Sequence, residues 1–279
     1  MDTIDLHIHT TASDGTDAPA RAVELAGALG LRAVGITDHD TVSGVAEAVA
    51  AGERLGVEVV PGIEISSDYR DNTVHILGYF IDPAAPALDR MMNWAEEQRR
   101  ERNQKMAEML SADGFDISME ALEEEFPGAV LGRPHFAEHL VHRGYVSSVQ
   151  EGFTRYLSMR GKYFIPKRRI PLAEAGAVIR AAGGVAVVAH PLQYRYPLEE
   201  VTAMLQYARE AGVGCVECYY SNHTVEEQQW LLDRAEALGM GVTGGSDYHG
   251  TRKPAIALGS GKGTLAVPYS VLEDLKNLV

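Results

Sequence analysis

The chain has 279 residues, 46% of them apolar, and a formal net charge of -14. That length suits one large α/β domain or a barrel carrying an insertion. The acidic balance argues against duplex DNA as a partner, since broad binding relies on basic surface; a small phosphorylated substrate stays open, because bound cations and a few arginines reverse the sign locally.

The chain starts on a strand, MDTIDLHIHT, with no basic stretch leading into an apolar run, so the expectation is no signal peptide. The longest apolar stretch, GGVAVVAHP, is too short to span a membrane, so no membrane partner is expected. Period-two and short apolar runs predict strands over 4–9, 33–38, 57–60 continuing to 63–66, 74–80, 184–189, 214–220 and 241–245. Helical patterns intervene over 18–29, 42–55, 172–182, 198–211 and 225–238, and Gly30, Gly56, Gly183, Gly212 and Gly239 stand at their ends. Alternation of this kind is the signature of a parallel sheet with helices outside, and about seven strands fit a closed, irregular barrel. Between 84 and 167 the alternation stops and only helices are expected. The chain therefore reads as a barrel over 1–83 and 168–279, interrupted by a helical insertion over 84–167 that serves as a substrate-covering cap. Cys215 and Cys218 are the only cysteines. No disulfide framework follows, a reducing cytoplasm is the natural compartment, and both thiols read as strand residues without a function.

Nine residues of metal-favouring type fall at or near predicted strand ends: His7, His9, Asp14, His39, Glu64, His75, His190, Asp247 and His249. Six of the ten histidines belong to this set, and scattered surface histidines would not track strand ends. In TIDLHIHT, Ile4, Leu6 and Ile8 alternate with Asp5, His7 and His9, so both histidines share one face. Asp14 follows in a loop where Gly15 allows a tight turn. His39 lies past the second strand, flanked by Asp38 and Asp40 as candidate acceptors that orient it. Glu64 lies between Ile63 and Ile65; an inward carboxylate among branched aliphatics needs a cation, and its two oxygens suit it to bridge two. His75 lies within a fourth strand, His190 ends a very apolar one, and Asp247 and His249 follow the last. Strand ends of a barrel share one face, so the set predicts a multinuclear metal centre.

Outside this set, His139 and His142 read as a solvated helix face. His135 follows Arg133 and Pro134 at a helix start suited to anions. His223, in YYSNHT, follows a strand and is placed to contact substrate or to protonate a leaving group. Arg133 and Lys167, the latter in the run Lys167-Arg168-Arg169, are the candidate cations for a phosphate.

The motifs DLHIHTTASDGT, ITDHDT, PGIEIS, HILGY, AHP and GSDYHG, in this order, resemble those of the PHP family, named for its polymerase and histidinol phosphatase members. The resemblance spans nearly the whole chain. It implies a distorted (β/α)7 TIM-like barrel, class α/β, with a trinuclear site. One metal would take His7, His9, Glu64 and Asp247; the second Glu64, His75 and His190; the third Asp14, His39 and His249. GRPH at 132–135 and YY-x-x-H at 219–223 resemble the branch holding nucleoside 3′,5′-bisphosphate phosphatases and enzymes that trim short 5′-phosphorylated RNA.

Oxygen and nitrogen ligands without thiolate suit manganese, iron or zinc, with two to three ions expected and manganese first. The expected reaction is hydrolysis of the 3′-phosphate of a nucleoside bisphosphate such as pAp, by a hydroxide shared between cations. Asp247 would be a ligand able to accept the nucleophile's proton, and His223 the acid. Arg133, His135, Lys167 and His223 would bind substrate. A 5′–3′ exonuclease on short RNA and a histidinol-phosphate-type phosphatase are the alternatives. An amidohydrolase is disfavoured because no lysine stands at a strand end to bridge metals as a carbamate.

Overall fold

The computed structural model describes residues 2–70, 72–127 and 131–279. Strands and helices alternate through β1 (Thr3–Ile8), α1 (Pro19–Ala28), β2 (Ala33–Ile36), α2 (Val45–Leu55) and β3 (Glu58–Tyr69), which leads directly into β4 (Asn72–Tyr79). Then come the long α3 (Pro86–Ala112), α4 (Met119–Glu125), α5 (Arg133–His142) and the single turn α6 (Val149–Gly152). Alternation resumes with β5 (Ile170–Pro171), α7 (Leu172–Ala181), β6 (Val185–Val188), α8 (Leu198–Glu210), β7 (Cys215–Tyr220), α9 (Val225–Leu238), β8 (Gly241–Gly245), β9 (Val267–Pro268) and α10 (Ser270–Lys276).

The chain forms two compact units. Met1–Met92 with Arg169–Val279 makes the first, and Asn93–Arg168 the second. In the first, hydrogen bonding runs β8-β7-β6-β4-β3-β2-β1-β9, with β5 on β3. The last long strand returns to the first: the Asp247 N–H donates to the His7 carbonyl at 2.8 Å, and the His9 N–H to the Tyr248 carbonyl at 2.9 Å. The sheet is thus a nearly closed, distorted barrel of the α/β class. Closure depends on Gly245, where a Cβ would sit 2.3 Å from the His7 backbone nitrogen.

One expectation fails within this sheet. β4 is antiparallel to both β3 and β6, so the sheet is mixed rather than parallel. The reason is chain length: two residues separate β3 from β4, and a parallel return needs a dozen or more. β3 is also one continuous strand across Pro61 and Gly62 rather than two short runs. The consequence for the site is that His75 lies near the start of its strand. Register pairs it with Ser66, two residues beyond Glu64, so reversal of the strand brings His75 to the same end as the C-termini of the parallel strands.

Helix boundaries follow local chemistry. α9 opens on a reciprocal cap: Thr224 Oγ1 accepts from the Glu227 N–H at 3.1 Å, and Glu227 Oε2 accepts from the Thr224 N–H at 2.8 Å. It stops at Gly239, whose φ of 61° is left-handed. One apolar cluster joins Ile4 and Leu6 to Val60, Leu77, Val187 and Cys215; another packs Val34 and Ile36 against Ala22, Val23, Ala48 and Ala51 of α1 and α2. Leu6 is fully buried, so Leu6→Ala is expected to cost about 2–5 kcal/mol, read as a lower urea midpoint at unchanged slope. The second unit has its own core, in which Met106, Leu110, Leu122, Phe136 and Leu157 are buried together. Among the described residues no helix is long and apolar enough to cross a membrane.

Cys215 and Cys218 are free and buried in β7. Burial pushes the Cys215 thiol up to about 12 and raises Cys218 as well. Neither thiol is expected to react with Ellman's reagent at pH 8 in the folded protein, and both are expected to react once it is unfolded in urea.

Candidate metal centre

The sequence-predicted ligands arrive at one end of the barrel from several strands. His7 lies on β1 and His9 just past it. Asp14 is carried back by the following loop, where a Cβ at Gly15 would lie 2.3 Å from the His9 carbonyl oxygen. His39 forms a parallel bridge with Glu64, and the Asp40 N–H donates to the Glu64 carbonyl at 2.9 Å. His190 follows β6 with φ of 27°, and Asp247 follows β8 with φ of 59°. Both conformations are uncommon outside glycine, and such residues cluster at functional sites.

Glu64 is the hub. Its Oε2 faces His39 Nδ1 at 3.0 Å, His9 Nε2 at 3.2 Å and His7 Nε2 at 3.4 Å. Its Oε1 faces His75 Nδ1 at 2.9 Å and His190 Nε2 at 3.0 Å. Asp247 Oδ1 adds a second focus, 3.4 Å from both His9 Nε2 and His249 Nδ1 and 3.7 Å from His7 Nε2. Asp14 Oδ1 lies 3.2 Å from His249 Nε2 and 3.8 Å from His9 Nδ1. All nine residues fall into four overlapping groups with metal-ligand spacing: His9, Asp14, His39 and His249; His7, Glu64 and His190; His7, His9 and Asp247; and His39, Glu64 and His75.

The residues fit a cation. His7 Nε2, both ring nitrogens of His9, His39 Nδ1 and Glu64 Oε2 are buried without a well-formed hydrogen bond. Each orphan of this kind costs about 1–3 kcal/mol, which an ion among them would offset. The charge balance agrees. Burial opposes ionisation of Glu64, yet His39, His75 and His7 outweigh it and hold the carboxyl well below the usual range. Asp247 behaves likewise, with His9, His7 and Lys253 outweighing burial. Burial pushes His39 down to about 3, the neutral form a ligand needs. For His9, burial is outweighed by Asp247 and Glu64, which push it up to about 9. Two ionised carboxylates thus draw positive charge into a buried space.

Some surroundings differ from expectation. Asp38 does not serve His39; it accepts from the Thr10 N–H at 2.8 Å, Thr10 Oγ1 at 2.7 Å and Ser13 Oγ at 2.6 Å, bracing the loop that carries Asp14. Glu217, absent from the sequence-derived set, lies fully buried on β7, 2.9 Å from His7 Nδ1 and 2.8 Å from the His190 backbone nitrogen. Its signal was available: it is a lone carboxylate inside the apolar run GVGCVECYY, as Glu64 is inside its own. Lys253 donates to Asp247 Oδ2 at 2.7 Å and Tyr220 Oη donates to the same oxygen at 2.8 Å. A loop lysine six residues past its partner carries no sequence signal.

His223 lies beside Tyr220, ring centroids 5.1 Å apart. Its Nδ1 is 2.9 Å from the Cys218 carbonyl, which only accepts, so the ring proton is on Nδ1. Nε2 is buried and unpartnered, and burial lowers the pKa of the ring. In this form Nε2 accepts a hydrogen bond, and acting as an acid first requires a second proton that burial opposes.

Within the second unit, Arg133 stands at the first turn of α5, donates to the Leu157 carbonyl at 3.2 Å and lies over the Phe164 ring. His135 Nδ1 accepts from the Gly132 N–H at 3.1 Å, closing the start of the same helix. Lys167 is half-buried. His139 is not on a solvated face: it is fully buried, with Nδ1 on Glu125 and Nε2 on the Asp116 carbonyl. Helical period places it between Phe136 and Leu140 on the apolar side. His142 is exposed and also pairs with Glu125.

A family model described as the PHP domain matches residues 5–163. The chain belongs to the PHP domain family. A 3′,5′-nucleoside bisphosphate phosphatase of Chromobacterium violaceum is 33% identical over 253 residues, covering 89% of this chain and 88% of that one. A 5′-3′ exoribonuclease of Haemophilus influenzae is 31% identical over 245 residues, 88% of this chain and 89% of that one. A solved structure from Bifidobacterium adolescentis, described as a metal-dependent phosphoesterase, superposes with a TM-score of 0.81 at 32% identity, covering 98% of this chain and 95% of that one. The PHP chain is accordingly a metal-dependent phosphate-ester hydrolase.

Proposed function

We propose that this enzyme removes the 3′-phosphate of nucleoside 3′,5′-bisphosphates, converting pAp to AMP and phosphate. The observation that carries the reading is the convergence of unpartnered histidine nitrogens on Glu64 and Asp247, in a chain similar along most of its length to a nucleoside bisphosphate phosphatase. His7, His9, Glu64 and Asp247 would hold one divalent ion, Glu64, His75 and His190 a second, and Asp14, His39 and His249 a third. Nitrogen and oxygen donors without thiolate suit manganese, iron or zinc, and manganese is the ion to try first. When bound, such ions supply Lewis acidity at a phosphoryl oxygen and lower the pKa of a water.

The chain's own residues supply the rest. Glu64 holds the ligand histidines around one point. Tyr220 and Lys253 occupy Asp247 Oδ2, which leaves Oδ1 to face the histidines. Lys253 brings a cation to the edge of the centre, suited to a phosphate oxygen. His223 Nε2 accepts a hydrogen bond from a substrate hydroxyl or protonated oxygen. His223→Gln is therefore expected to lower kcat/KM about 10–100-fold, the size of losing one hydrogen bond to a charged or reacting group, with metal content unchanged. A cytoplasmic site of action suits the two free, buried thiols.

The test is phosphate release from pAp with added manganese, beside AMP, histidinol phosphate and a 5′-phosphorylated RNA dinucleotide, each repeated after chelation. Chelator-sensitive conversion of pAp to AMP, with AMP left intact, supports the reading. Release of nucleotides from the dinucleotide with little action on pAp moves the function to the exonuclease reading, which the Haemophilus influenzae relative favours. Turnover of neither sinks both.

A further inference from the structure

We infer that Glu217 is a positioning residue that sets two ligands of the centre at once, His7 through its ring and His190 through its backbone. The inference rests on the metal-centre reading above. Glu217 is fully buried, and both of its oxygens are committed: Oε1 lies 2.9 Å from His7 Nδ1, and Oε2 accepts from the His190 N–H at 2.8 Å. A carboxylate only accepts, so its contact with His7 requires the ring proton on Nδ1. The lone pair of Nε2 is then turned toward Glu64 Oε2, 3.4 Å away, and Asp247 Oδ1, 3.7 Å away. In the other tautomer, Nε2 would present a proton to the centre and could not bind an ion.

The second contact acts on the main chain. His190 has φ of 27°, left-handed and uncommon for a residue other than glycine, and Pro191 follows it. The bond from its N–H to Glu217 anchors this turn, which directs His190 Nε2 to 3.0 Å from Glu64 Oε1. The His7 and His190 rings lie nearly parallel, with centroids 5.7 Å apart and planes 19° apart, and each turns its Nε2 to a different oxygen of Glu64. One side chain on β7 thereby couples a ligand from β1 to a ligand from the end of β6. Glu217 itself belongs to none of the four groups with metal-ligand spacing.

The test uses zinc, which is diamagnetic, as its probe, with manganese and iron added separately to the wild-type protein as binding controls. In wild-type protein labelled with 15N-histidine and loaded with zinc, the His7 signals, identified by their absence from His7→Asn, are expected to report Nδ1–H and a metal-facing Nε2. A proton on Nε2 overturns the inference without any variant of Glu217. Glu217→Gln keeps the shape, but its amide can accept from one partner only and turns N–H groups on the other. Its zinc affinity, measured by competition with a chromophoric chelator, is expected to fall about 10–100-fold. Unchanged zinc affinity, even with a lower Tm of the metal-free protein, makes Glu217 a packing residue and overturns the inference. A wild-type protein that binds no zinc, manganese or iron overturns the metal-centre reading itself, an outcome separate from the other two.

Discussion

Glu64→Gln is expected to lower kcat/KM by on the order of a thousandfold and to strip the protein of metal. The substitution keeps size and shape and removes one charge. That charge faces five histidines, three through Oε2 and two through Oε1. Removing one member of a buried charge network costs about 3–5 kcal/mol, and each ~1.4 kcal/mol is a factor of ten in rate. The amide also presents N–H groups to ring nitrogens that are needed as ligands. Metal content after dialysis and kcat/KM on pAp, or on the dinucleotide if that is the substrate, check the expectation together. A Glu64→Gln protein that retains full metal content and turns over normally would remove Glu64 from its role as hub.

The chemistry of the centre was legible in the chain because strand period and residue type agree there. HIH on an alternating strand, a glutamate between isoleucines, and Asp247 and His249 after the last strand each tie a donor to a strand end. The structure brings all nine together. What stayed hidden is of two kinds. The reversal of β4 was written in the two residues between β3 and β4, yet the apolar pattern of a strand has no direction, so a parallel reading survived until pairing was seen. Tyr220 and the bracing role of Asp38 depend on contacts between the ends of different strands, and Lys253 on the path of the loop after β8, none of which period and spacing encode. His139 differs from both, because it was legible: its burial follows from the spacing of Phe136 and Leu140, and charge on neighbouring residues masked that spacing.

The ligand arrangement depends on how closely β8 approaches β1, and Gly245→Ala tests that dependence. A Cβ at residue 245 would lie 2.3 Å from the His7 backbone nitrogen and 2.4 Å from its Cβ. Neither atom is the far end of a flexible side chain, so the strands themselves must separate. Overpacking of a tight site costs about 1–3 kcal/mol, or roughly 2–4 °C of Tm per kcal/mol for a chain of this size. The same shift draws His7 away from Asp247, whose N–H holds the His7 carbonyl at 2.8 Å. Metal affinity is therefore expected to fall along with Tm, although residue 245 carries no donor. Gly214, just before β7, is the control: a Cβ there meets nothing within 4 Å. Gly214→Ala is expected to leave metal affinity unchanged and stability the same or slightly higher, since alanine restricts the unfolded chain. If Gly245→Ala lowers Tm while metal binding stays at the wild-type level, the centre tolerates strand separation and its geometry is set by the loops alone. If both fall together, the barrel's closure and its metal centre are one structural event.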